Sequence, residues 1–153
     1  MGADIYLKSV SEKAYEQFKP LFDEACAGRK AGTKTQEDVD NVWEAMYPDE
    51  GYFRDSYNLT SLLWVLGLSW WRDIKYDEDG NLPIEQAEWF LEKLESNPIT
   101  LDKVKEYINS TEIKNNKDDT PEQWCEYWQE KHNHLCQLLR KSIKLDEPLS
   151  CSC

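Results

Sequence analysis

The sequence predicts a mainly α-helical, single compact domain of about six helices with an N-terminal β-strand. Three observations carry that reading. Apolar residues recur at three- and four-residue spacing along most of the chain, capping signals precede several of those runs, and only the first residues alternate as a strand does. At 153 residues one domain is the natural expectation. Residues 1–146 read as the globular unit and 147–153, the short tail "EPLSCSC", as flexible.

Each element follows from local chemistry. "DIYLKSV" carries β-branched and aromatic residues in weak alternation, which predicts a strand over residues 3–9. Ser11 then reads as an N-cap, followed by Ala14, Phe18, Leu21, Phe22 and Ala25 on one helical stripe. Pro20 interrupts that stripe and is expected to kink or split the helix; Gly28 and Gly32 mark its end. Thr35 with Asp38 three residues on forms a capping box for a second helix, whose buried stripe is Val39, Val42, Trp43 and Met46 and which Pro48 stops.

A third helix is expected from a cap at Asp55 or Ser56 through Tyr57, Leu59, Leu62, Leu63, Val65 and Leu66, apolar on nearly every side, to Gly67. "DEDGN" is a turn. Pro83 opens a fourth helix carrying Ile84, Ala87, Phe90, Leu91 and Leu94. Thr100 caps a fifth with Leu101, Val104, Tyr107 and Ile108 inward, and "NSTEIKNNKDD" is an exposed loop. "TPEQ" is the best helix start in the chain, with Thr120 as cap, Pro121 at the first position and Gln123 closing the box; this helix runs to about Leu145. The single strand needs a partner for its backbone groups. Residues 70–76 could supply one in a small two-stranded sheet, or a second copy of the chain could supply it across a dimer.

Composition bounds the function. Thirty acidic against 18 basic residues give a net charge of −12, which disfavours direct binding to nucleic acid or to an anionic membrane and favours a basic partner. Five cysteines, an odd number without a dense framework, suit reduced thiols; no signal peptide or membrane span is visible, so a cytoplasmic location is expected. "YDEDGNLPIEQ" has a calcium-loop outline, but Lys75 and Gln86 fall where the first and last ligands belong. Cys125, His132, His134 and Cys136 share one helix at spacings that do not match structural zinc sites, so a core seam is expected and no metal or cofactor is assigned. No Gly-X-Ser-X-Gly occurs, and no catalytic residue is assigned.

Two stretches, "MGADIYL" and "YFRDSYNLTSLLWVLGLSWW", resemble a group of small bacteriophage and bacterial proteins to which no reaction is attached. The resemblance implies a phage or prophage setting and, with it, host takeover or anti-defence.

Two function classes follow. The first is a non-enzymatic interaction protein, in its sharpest form an anti-CRISPR-like inhibitor whose acidic face (Asp38, Glu44, Glu85, Glu88 and Glu92) mimics nucleic acid and binds a basic nuclease complex. The second is a small-ligand binder or enzyme using a corner of Tyr52, Arg54, Asp55, Tyr57 and Asn58, with Trp70 and Trp71 nearby. A concave pocket holding Arg54 and a tryptophan is the feature that would favour the second. Otherwise Arg54 is expected to enter the core as a buried ion pair, with an acid such as Asp4, and its removal to cost ~3–5 kcal/mol.

Overall fold

The computed structural model describes residues 2–56, 59–111 and 119–152. Within them the chain is mainly helical and folds as one compact domain around a small antiparallel sheet. The elements are β1 (Gly2–Tyr6), α1 (Lys8–Lys30), α2 (Gln36–Met46), β2 (Tyr52–Ser56), α3 (Leu62–Val65), β3 (Asn81–Leu82), α4 (Ile84–Glu95), α5 (Leu101–Ser110), α6 (Pro121–Leu145) and β4 (Leu149–Ser152). The sheet order is β2-β1-β4-β3.

The sheet corrects three expectations. The partners of β1 are β2 and β4, not residues 70–76, which form turns and irregular backbone. The expected flexible tail is β4, an inner strand between β1 and β3 with Leu149 fully buried. The third helix does not begin at Asp55. Residues 52–56 instead alternate, with Phe53 and Asp55 buried and Arg54 exposed, and pair with β1 in the register Asp4 opposite Arg54 and Tyr6 opposite Tyr52. Only one helical turn, α3, survives of the apolar run, ended by Gly67 at φ +72°. A strand of period two buries every second residue, and that pattern was hidden by the longer apolar run after it.

The capping chemistry holds where it was clearest. Thr35 and Asp38 close a capping box on α2, Thr120 and Gln123 close one on α6, and Thr100 accepts from the Lys103 amide at the start of α5. Ser11 is not a cap. Helix α1 starts at Lys8, and the Ser11 hydroxyl, buried, donates to the Gly51 carbonyl at 2.9 Å. Gly51 is needed there: a Cβ would sit 2.5 Å from the Val10 side chain. Nor is α1 split at Pro20, which lies exposed on its outer side.

The main core lies between the inner sheet face (Ala3, Ile5, Phe53, Leu82, Leu149) and α3 to α6, around Trp70, Phe90, Leu94, Trp128 and Leu135. Helices α1 and α2 pack on each other and, apart from Val10 at the start of α1, stand apart from this core. Their predicted stripes are only partly covered: Leu21 is 48% exposed and Trp43 40%. Most of the polar stretch expected as a loop after α5, residues 112–118, lies outside the described residues.

Candidate functional site

Strand alternation divides the Arg54 corner between two environments. Tyr52 and Arg54 share the outer sheet face with Asp4 and Tyr6, while Asp55 points into the core. On the outer face the Tyr52 hydroxyl donates to Asp4 Oδ1 at 2.5 Å, and Arg54 Nε lies 3.7 Å from the same oxygen. The expected Asp4–Arg54 pair therefore exists. It is not buried: the Arg54 side chain is 55% exposed.

Helices α1 and α2 stand over this face and leave a cleft of about 560 Å³. Its walls are Asp4, Tyr6, Tyr52 and Arg54 from the sheet, Ser11, Glu12, Tyr15 and Glu16 from α1, and Trp43 and Tyr47 from the end of α2. The spacing explains the lining. Glu12 and Glu16 lie four residues apart on one helix face, with Tyr15 beside them, and Trp43 precedes Tyr47 by four. The rings form a continuous run: Trp43 to Tyr47 at 4.4 Å between centroids, Tyr47 to Tyr52 at 4.9 Å and Tyr15 to Tyr47 at 6.4 Å. All three pairs are tilted. Burial raises the Tyr47 hydroxyl pKa, and burial followed by the hydrogen bond to Asp4 raises that of Tyr52, so both stay protonated.

No family model, curated protein or solved structure matches the chain.

The charge of the lining is unequal. Asp4 faces Arg54, so the guanidinium is met within the wall. Glu12 and Glu16 are exposed and make no hydrogen bond or ion pair among the described residues. The cleft thus combines tilted, contacting aromatic rings with two carboxylates that have no partner among the described residues.

The inner half of the corner is structural. The Asp55 carboxylate, buried, accepts from Ser61 Oγ, the Leu62 amide and Trp70 Nε1, each at 2.9 Å, from Lys131 Nζ at 3.1 Å and from the Leu63 amide at 3.4 Å. It caps α3 from a strand six residues upstream, which was the capping role expected of it in another geometry. The buried ion pair of the corner is Asp55–Lys131, with side chains 0% and 17% exposed, and not Arg54. Trp70 is buried against this network and Trp71 is 66% exposed elsewhere; neither lines the cleft. Tyr57 and Asn58 lie outside the described residues.

The acids expected to share one face sit on two separate helices. Glu85, Glu88 and Glu92 are exposed along α4, which packs on α6. Glu44 is exposed on α2, which packs on α1, and the Asp38 carboxylate closes its capping box. Cys125 and Cys136 are buried on α6, and burial pushes the Cys136 thiol up to about 11. Its neighbour His132 donates from Nε2 to the Leu94 carbonyl at 2.8 Å, and His134 donates to the Asp49 carbonyl at 2.7 Å. Among the described residues no group of three or more His, Cys, Asp or Glu is arranged to hold a metal, and no helix is long and apolar enough to cross a membrane.

Sequence reasoning found Tyr52 and Arg54 but missed Tyr15, Trp43, Tyr47, Glu12 and Glu16. Trp43 was assigned to a buried stripe. The usable signal was Trp43 and Tyr47 at helical spacing on a second helix that is otherwise largely polar.

Proposed function

We propose that this protein is a non-enzymatic recognition module whose ligand enters the cleft between the α1–α2 hairpin and the outer face of β1 and β2. One observation carries the reading: a hollow of ligand size holds Arg54 together with Tyr47, Trp43 (40% exposed) and Tyr15 (41% exposed). Aromatic rings left partly exposed at a concavity forgo burial worth roughly 25 cal/mol per Å², which a ligand can recover. The phage anti-defence role suggested by the resemblance is the cellular setting in which such a module would act on a host component.

Tryptophan emission tests the reading. The protein is titrated with fractionated host metabolites and host peptides, alongside Trp43→Phe and Trp71→Phe variants. A saturable change present in the parent and in Trp71→Phe, and absent from Trp43→Phe, locates binding in the cleft. A flat response to every fraction, or a response retained in Trp43→Phe, overturns it.

A further inference from the structure

We propose that the group this cleft takes is an alkylammonium cation, supplied by a free amine or by a lysine side chain of a basic partner; this rests on the cleft being the binding site. The rings present electron-rich faces, and a cation over such a face is attracted by the ring quadrupole. Tyr47 is central to the run, with Trp43, Tyr52 and Tyr15 each within 6.4 Å of it between centroids. The rings touch one another and together line the cleft, so a cation in the cleft lies beside this aromatic wall rather than between its rings. The carboxylates set the sign. Arg54 is met by Asp4, whereas Glu12 and Glu16 line the cleft, exposed and without partners among the described residues. An anionic ligand would face three acids for one guanidinium, and a neutral one would cover two carboxylates without compensating them.

Ring geometry chooses between cations. The three pairs are tilted by 42° to 58°, so the run offers no parallel pair of faces. A planar guanidinium gains most by lying flat on a ring; a compact ammonium needs no plane and accepts tilted walls. The cleft, at about 560 Å³, also has room for the alkyl chain behind the charge.

The experiment is a calorimetric and fluorescence titration of the full chain with n-butylammonium, 1,4-diaminobutane, and acetylated tripeptides centred on lysine or arginine. Butanol and butyrate are the neutral and anionic controls. The amines are expected to bind and the controls not to, with affinity falling as salt rises. Binding should weaken about tenfold in Trp43→Ala and by a similar factor in a Glu12→Gln/Glu16→Gln variant. Circular dichroism of each variant separates loss of binding from loss of fold, and the double glutamine variant, altered only at exposed positions, keeps the test informative if Trp43→Ala unfolds. A lysine peptide that outbinds the free amines assigns the cation to a partner protein; a diamine that outbinds the peptide assigns it to a small molecule. Butanol or butyrate binding as well as butylammonium, or amine binding unchanged in the double variant, overturns the proposal while leaving the cleft a site. The arginine peptide binding tighter than the lysine peptide overturns the ammonium assignment. No amine response beside a positive host-fraction titration overturns the ligand class alone, and no response in either removes the cleft as a site.

Discussion

Arg54 and Asp55 are adjacent and charged, yet they carry opposite consequences. Arg54 is half exposed and 3.7 Å from Asp4, so water screens the pair, and exposed pairs are worth ~0–1 kcal/mol. Asp55 is buried with five donors on its two oxygens. Replacing it by Ala strands the Lys131 ammonium and the Trp70 indole N–H and should cost about 3–5 kcal/mol. Arg54→Ala should therefore melt close to the parent, and Asp55→Ala far below it, in parallel thermal unfolding curves. This reverses the cost expected of Arg54 from sequence, because the strand turns its side chain outward. The same scale governs the thiols. Cys136, raised to about 11 by burial, is expected to resist alkylation at pH 8 in the native protein and to react once urea unfolds it, as mass spectrometry would show.

Helix termini were the most legible elements, since a cap is a contact within four residues and needs no tertiary partner. In α2 the Thr35 backbone amide, then its hydroxyl, donates to Asp38 and holds that carboxyl below its ordinary value. The folded state thus binds the proton less readily than the unfolded chain. The stabilisation is complete above the ordinary carboxylate pKa and is lost as pH falls through the lowered folded value. Amide exchange in the first turn of α2 should accelerate under acid in the parent, and Asp38→Asn should show the faster exchange already at neutral pH. On α6, Thr120→Ala removes the hydroxyl that accepts from the Gln123 amide at 3.2 Å and should cost about 1 kcal/mol in urea unfolding. Strand β2 shows why an element is less legible than a cap. Five residues of alternation gave way in the reading to the long apolar run behind them, and the strand that pairs with β2 lies some fifty residues upstream.

At the scale of the whole molecule the last strand pairs with the first. β4 fills the position between β1 and β3, and Leu149 is completely buried. Removing residues 147–153 would leave β1 with an unpaired inner edge and open the core beneath it. The truncated protein is expected to lose its cooperative thermal transition; a sharp transition near that of the parent would show that β4 is dispensable. The α1–α2 hairpin is joined to the rest mainly at the start of α1, through the Gly51 junction, Val10 against the core and the Ser9 hydrogen bonds to Glu147, and its buried residues Ala25, Val39 and Met46 are not part of the main core. Its amides should exchange faster than those of α4 and α6.

By itself the sequence determined the helical class, the starts of α2, α5 and α6, the turn at residues 77–80 and the core faces of α4 and α6, because periodicity and capping are written within a few residues. It also placed Tyr52 and Arg54 at a candidate site and paired Arg54 with Asp4. Only the tertiary structure decided the rest. The sheet joins residues 2–6, 52–56, 81–82 and 149–152, and backbone pairing between such distant segments leaves no local signature. The cleft is assembled the same way, from a sheet face and two helices whose aromatic rings look like core in the sequence. Whether a tryptophan at a helical stripe is covered depends on what packs against it, and Trp43, set against the Phe22 and Tyr47 rings, is left 40% exposed beside the cleft.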